Sequence, residues 1–278
     1  MGPGPFLRDA ELESILARHL GGRPVHGFRQ VGSTMDAAHR LAAEGAPEGA
    51  LAVAMRQEQG RGRLGRTWAS PEGGAYLSLI LRPARPPSET PQLALVAGLA
   101  AAEAIRDAAC LSPSIRWPND LLVNGKKLGG ILAEGRWPKA DGQGGLRPPA
   151  SGLRPHVVIG IGINVSTDPA HLPEGSTSLA AEGASRVSRE ELIAGLCRRF
   201  DAWYDGWTRQ GFAPVREALR PWIGLFGHPI QLTAGSEQLQ GTAQDLDEQG
   251  RLVVRLDSGI LRAFEAGEVT LLRSREGT

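Results

Sequence analysis

Apolar positions recur along the chain with two periods, and each period marks a kind of element. Residues 9–20 repeat at helical spacing, with Leu12, Ile15, Leu16 and Leu20 on one face and Asp9 placed to cap the first turn. Residues 35–44 read as a short helix that follows Ser33 and Thr34 and stops at Gly45. An Ala-rich helix is expected over 91–109, opening after Pro91. A longer one follows Ser188, which forms a capping-box pattern with Glu191 and leads into Leu192, Ile193, Leu196, Phe200, Trp203, Tyr204 and Trp207. Those aromatics sit at core spacing. Strand-like runs occupy 51–55, 75–81 and 157–163. Residues 121–133 predict a hairpin turning at Asn124-Gly125, a pair suited to the positive backbone angles of a two-residue turn.

The pattern changes near Gly224. Beyond it the runs PIQLT, LVVRL, ILRAF and EVTLL alternate and are separated by Gly-bearing turns, which predicts a small all-β unit. Upstream, strands and helices mix without regular βαβ alternation, so α+β is the expected class. The division falls at 1–223 and 224–278. Residues 137–155 are packed with Gly and Pro and read as a mobile surface loop.

Composition narrows the function classes. The 278 residues are 41% hydrophobic and 22% charged, with formal net charge +1, so nothing marks wholesale binding to nucleic acid or to an anionic membrane. There is no 18-residue apolar run and no apolar signal-peptide core, and two cysteines cannot build a disulfide framework. A cytoplasmic protein is expected. Lysine is scarce: among 31 basic residues only Lys126, Lys127 and Lys139 are not arginine.

Four segments carry candidate chemistry. Residues 60–68, GRGRLGRTW, set Gly60 and Gly62 among Arg61, Arg63 and Arg66 and end on Trp68. Glycine lets a backbone approach a ligand, and arginine offers a planar, permanently charged fork to phosphate or carboxylate. The same loop could instead be a solvated basic segment or touch RNA. In the second segment Asn119 and Asp120 stand at a strand start and the turn returns the chain so that Lys127 can lie near Asp120. Asn-Asp is also ordinary turn chemistry and Lys126 an ordinary solvated edge. Where arginine is the default cation, a retained lysine points to a need for a compact ammonium. The third segment, Gly160 to Asn164 (GIGIN), places glycines inside a buried strand, the mark of close approach by a ligand or another backbone, with Asn164 able to read a base edge or hold a metal-bound water. The fourth, Ser33-Thr34, is either a plain helix cap or a pair of ligand hydroxyls. No nucleophile or general base stands out. This inventory suits activation of a carboxylate by a nucleoside triphosphate, which needs charge neutralisation and positioning.

In this order the four segments resemble the biotin protein ligases, from about Phe28 to Leu272. The resemblance implies an α+β catalytic domain, a mixed sheet with helices packed on one side, followed by a small Src-homology-3-like barrel. It implies biotin and ATP as substrates with Mg2+, formation of biotinoyl-5′-AMP, and transfer of biotin to a lysine of a biotin carboxyl carrier protein. By position, Ser33, Thr34, Gln57, Gly60, Gly62, Gly130 and Gly160 would form the biotin pocket together with Arg61, Arg63 and Lys127. Arg61, Arg63, Arg66, Trp68, Asn119, Lys127 and Asn164 would meet ATP or the adenylate, Lys127 and Arg63 would be catalytic, and Asp120 would hold the metal. Two positions depart from the family pattern: Met35 stands where Asn is usual and Arg116 where Lys is common. With about 27 residues ahead of the match, a ligase without a DNA-binding domain is expected, with no DNA or membrane partner, as a monomer or homodimer. A lipoate–protein ligase is the neighbouring alternative. A nucleic-acid-binding protein would want a basic C-terminal unit, yet residues 224–272 hold three arginines and His228 against seven acids.

Overall fold

A computed structural model describes residues 7–137 and 155–272. The first part is built on an eight-stranded mixed sheet. Its strands are β1 (Leu7–Arg8), β2 (Val25–Val31), β3 (Leu51–Gln57), β4 (Gly74–Leu81), β5 (Ser114–Arg116), β6 (Asp120–Val123), β7 (Lys126–Arg136) and β8 (His156–Asn164), in the order β1-β2-β3-β4-β8-β7-β6-β5. Only β2 and β3 run parallel. The helices are α1 (Ala10–His19), α2 (Thr34–Ala43), α3 (Thr90–Ala109), α4 (Arg189–Gln210) and α5 (Ala213–Leu219). Each expected cap forms: Asp9 accepts from the Leu12 amide, Ser33 from Met35 and Ser188 from Glu191. The β6–β7 turn has both Asn124 (φ 50°) and Gly125 (φ 75°) in the left-handed region.

Side-chain alternation divides the sheet into two faces. Leu51, Val53, Leu77, Leu79, Val157, Ile159, Ile161 and Ile163 join α1, α3 and α4 in the main core. Ala52, Ala54, Ile80 and Val158 face the other way, against Met35, Ala38 and Ala42 of α2. The expected α+β class holds, with one refinement: α2 lies on the face opposite the other helices. It packs on β3, β4 and β8, and part of β7 lines a cavity beside it.

The second part is a five-stranded antiparallel sheet, β9 (Pro229–Ala234), β10 (Glu237–Leu246), β11 (Leu252–Leu256), β12 (Leu261–Phe264) and β13 (Glu268–Leu271), in the order β12-β11-β10-β9-β13. The hydrophobic pattern had announced four of these. β10 is the fifth, hidden because Gly241 and Ala243 stand in the middle of its inward face and a bulge separates them from the buried Leu246. A side chain at Gly241 would come 2.4 Å from the Arg255 carbonyl oxygen. β2, β5 and α5 also escaped the pattern, being short or broken by polar residues. The turn after β10 docks on the first part: the Trp117 indole donates to the Gly250 carbonyl (3.0 Å), and Gln92 donates to the Glu248 carbonyl (3.3 Å). The loop expected over 137–155 lies outside the described residues apart from its two ends.

Candidate functional site

The part of the sheet that α2 leaves open forms the floor of a cavity of about 260 Å3. Its floor is glycine because adjacent strands bring glycines together: Gly130 of β7 pairs with Gly162 of β8, and Leu132 with Gly160. A methyl at Gly162 would come 2.5 Å from Trp68 Nε1, and one at Gly160 would come 2.4 Å from Met35 Sδ. Trp68 and Met35 therefore lie directly on the strands, in space that any larger residue would close.

Residues 60–68 form one wall. The loop folds on itself through Trp68 N to Gly60 O (2.8 Å), Gly62 N to Arg66 O (2.7 Å) and Arg66 N to Arg63 O (3.1 Å), with Leu64 at φ 56° and exposed at its tip. Its arginines reach four different parts of the chain. Arg61 Nη2 meets Glu134 on β7 (2.8 Å) and Asp36 on α2 (3.3 Å). Arg63 Nη1 donates to Asn119 Oδ1 (3.0 Å), and burial presses its pKa below the usual arginine value against the opposing pull of Asp120. Arg66 pairs with Glu268 of β13. Gly267, Glu268, Val269 and Thr270 line the cavity, so the C-terminal sheet contributes to the site. No feature of the sequence pattern had pointed to them.

The hairpin forms the opposite wall. Lys127 Nζ lies 2.7 Å from Asp120 Oδ1 and 5.4 Å from the centre of the Trp68 ring. Arg116 Nη2 holds the other oxygen, Oδ2, at 2.7 Å. Asn119 is fixed by exchanging bonds with Ile131, Nδ2 to O at 2.9 Å and O from N at 2.9 Å. A segment unnoticed in the sequence secures the hairpin from behind. Lys127 N donates to Gly175 O (2.8 Å), Thr177 N donates to Lys127 O (2.9 Å), and the Glu182 carboxylate accepts from Asn124 and Thr177 at 2.6 Å each. Glu182 also draws Lys126, 3.7 Å away, to the outside of the hairpin.

At the inner end, Gln57 Oε1 accepts from Thr34 N (2.8 Å) and Thr34 Oγ1 (3.0 Å), while its amide donates to Ser70 Oγ (2.8 Å). Ser78 Oγ donates to Thr34 Oγ1 (2.9 Å). These bonds hold a polar corner rigid before any ligand arrives.

Of the expected site residues, Thr34, Gln57, Arg61, Gly62, Arg63, Arg66, Trp68, Asn119, Asp120, Lys127, Gly130 and Gly160 all line this cavity. Three do not. Ser33 is buried as the cap of α2. Gly60 is buried within its own loop, where a methyl would meet the Trp68 carbonyl at 2.4 Å. Asn164 is buried at the end of β8 and donates to the Thr177 carbonyl (2.9 Å), tying down the segment behind Lys127 rather than facing the ligand space. The metal role expected of Asp120 does not fit the side chains present. Both its oxygens are held by cations, and among the described residues no three His, Cys, Asp or Glu side chains gather into a metal site. Of the two departures, Met35 covers Gly160, and Arg116 clamps Asp120.

Residues 27–145 match the Biotin/lipoate A/B protein ligase family, and residues 225–272 match the Biotin protein ligase C terminal domain. The chain is 34% identical over 265 residues to a bifunctional ligase/repressor of Bacillus subtilis, covering 94% of this chain and 78% of that protein. It is 30% identical to a biotin–[acetyl-CoA-carboxylase] ligase of Mycobacterium tuberculosis over 94% of each. Among solved structures it is similar to the biotin protein ligase from Aquifex aeolicus in complex with biotin and ATP, with TM-score 0.72 and 28% identity over 90% of this chain and 99% of that one.

Proposed function

The chain belongs to the biotin protein ligase family, and on that premise we propose that its cavity joins biotin to ATP and passes the activated biotin to a lysine of a biotin carboxyl carrier protein. One observation carries this reading. Five cations, Arg61, Arg63, Arg66, Arg116 and Lys127, line a glycine-floored cavity that holds only two carboxylates, Asp120 and Glu268. An enzyme that brings a carboxylate against a triphosphate must neutralise two anions before they can react.

In the first step a biotin carboxylate oxygen attacks the α-phosphorus of ATP. The bond to the bridging oxygen breaks and pyrophosphate leaves. Lys127 is the compact charge placed between the two anions, and Arg63, held by Asn119, faces the phosphate. As the reactants enter, the ammonium exchanges its bond to Asp120 for bonds to them, while Arg116 keeps Asp120 paired. The rigid corner of Thr34, Gln57 and Ser70 is suited to the amide-like ring of biotin. Gly130 keeps the strand beneath Trp68 and Lys127 free of a side chain. Magnesium would accompany ATP as part of the substrate, and among the described residues no three His, Cys, Asp or Glu side chains gather to hold it beforehand. In the second step the acceptor lysine amine attacks the acyl carbon and AMP leaves. Until then the indole of Trp68 and the folded 60–68 loop keep water from the mixed anhydride.

No helix among the described residues is long and apolar enough to cross a membrane, and a cytoplasmic location is part of this reading. The division of the chain at Gly224, with the C-terminal unit closing the cavity through Glu268, is part of it too. The test is pyrophosphate release from ATP with biotin, with lipoate and with neither. Release that requires biotin supports the reading. Release driven by lipoate, or independent of both acids, overturns it.

A further inference from the structure

Away from the reacting groups, the same face of the sheet carries a buried polar chain that the reaction does not use directly. On β7 and β8 the residues facing α2 run in paired rows: Gly130 with Gly162, Leu132 with Gly160, Glu134 with Val158, and Arg136 with His156. The first two rows are cavity floor. From the second row onward α2 lies on the sheet, placing Met35 over Gly160 and, one turn further on, His39 beside His156. Both histidines are 1% exposed. His39 Nδ1 lies 3.0 Å from His156 Nε2, and His39 Nε2 lies 3.3 Å from Glu134 Oε2, the oxygen that accepts from Arg61 at 2.8 Å.

Hydrogen-bond chemistry orders this chain. The Glu134 carboxylate can only accept, so Nε2 of His39 carries the proton. Nδ1 of His39 is then the acceptor, and Nε2 of His156 donates to it. His39 stays neutral: burial, then Arg136, His156 and Arg61, push its pKa down to about 3, with Asp36 pulling the other way. Those groups stand on α2, β7, β8 and the 60–68 loop. A neutral donor anchors Glu134 without competing for its charge, which is left to Arg61. The guanidinium needs such an anchor. It extends from a loop flanked by Gly60 and Gly62, and its long side chain has many rotamers to lose. Its Nη2 is shared by Glu134 and Asp36, and its buried Nε has no hydrogen-bond partner.

We propose that His156, His39 and Glu134 form a positioning relay for Arg61, fixing its guanidinium on the cavity wall so that its remaining donors meet the adenylate. The inference rests on the proposed function, since it takes Arg61 as a ligand of the nucleotide intermediate. The relay residues touch no substrate themselves. They act only through Arg61, and that separates them from a buried plug that merely satisfies its own hydrogen bonds.

A double-mutant cycle tests this in the full chain, with thermal stability followed for each variant. Biotin-dependent pyrophosphate release is measured for wild type, His39→Leu, Arg61→Ala and the double variant. His39→Leu should lower kcat/KM about tenfold in the wild-type background and less than about twofold where Arg61 is already gone. His39→Gln, whose amide keeps a donor toward Glu134, should recover most of the loss. Equal losses in both backgrounds overturn the proposal. If His39→Leu does not fold, Glu134→Gln takes its place in the same cycle with the same two outcomes. Absence of biotin-dependent release in the wild type would instead remove the reading of the site, whereas normal release with an additive cycle removes only the relay.

Discussion

Strand β8 shows both of the molecule's regimes in one stretch of backbone. Toward α1, α3 and α4 it presents Val157, Ile159, Ile161 and Ile163, all buried in the main core. Toward α2 and the cavity it presents His156, Val158, Gly160, Gly162 and Asn164. The first face buries apolar area and stabilises the fold. The second gives up side-chain volume at two positions and buries polar groups at two others, a loss the aliphatic face offsets. The strand alternates between them every residue, so a one-residue change of register would exchange core for site. In this protein the site is the half of the sheet from which packing has been withheld.

That contrast can be broken from either side. The largest effect is expected on the open face at Lys127. Lys127→Ala should reduce the rate of adenylate formation at least about a thousandfold, since it removes the charge between two reacting anions. Asp120 keeps Arg116, so denaturant unfolding should change by less than about 1 kcal/mol. Near-wild-type pyrophosphate release by this variant would contradict the assignment of roles.

On the packed face the opposite result is expected. Ile159→Ala should cost about 2–5 kcal/mol of stability through the cavity it leaves, while the folded fraction retains its kcat/KM. A selective loss of activity would mean that the two faces are coupled more tightly than alternation implies. Gly162→Ala is the matching change on the open face. Its methyl would come 2.5 Å from the Trp68 indole, which must lift off the strand. Activity should fall about a hundredfold with little change in melting temperature, and a shift in tryptophan fluorescence should report the displaced ring.

The smallest effect concerns the buried histidine. His39 has its pKa lowered to about 3 in the folded protein from an ordinary value of 6.5. Between those values the unfolded chain binds a proton that the native state refuses, so stability rises with pH across this window and its contribution is complete above 6.5. Acidification from pH 6.5 should therefore destabilise the protein by at most about 1.4 kcal/mol per pH unit from this residue. His39→Leu should flatten that slope, measured by unfolding at successive pH values.

Much of this was legible in order of the strength of local signals. Helix caps, the Asn124-Gly125 turn and the aliphatic strands are specified by residues within a few positions of one another, and their elements form where the pattern placed them. The glycine–arginine loop and the hairpin lysine were visible because a composition poor in lysine made Lys127 stand out, and both line the cavity. β10 was missed because an inward glycine and alanine, with a bulge before Leu246, break the alternating signal.

The sequence by itself determined the strongly patterned elements, the α+β class, and a set of residues fit for joining a carboxylate to a nucleotide. Only the tertiary structure decided which of them share one space. Asn164 looked like a ligand and became a strut holding Thr177, because the segment folded over the end of β8 presents it the Thr177 carbonyl. Asp120 looked like a metal ligand and became the shared anchor of Arg116 and Lys127. Glu268 and Glu182, far along the chain, became a wall of the cavity and the brace of its hairpin. Local propensity acts over a few residues, whereas the ionic partners of a side chain are set by what packing brings within about 4 Å, regardless of separation along the chain.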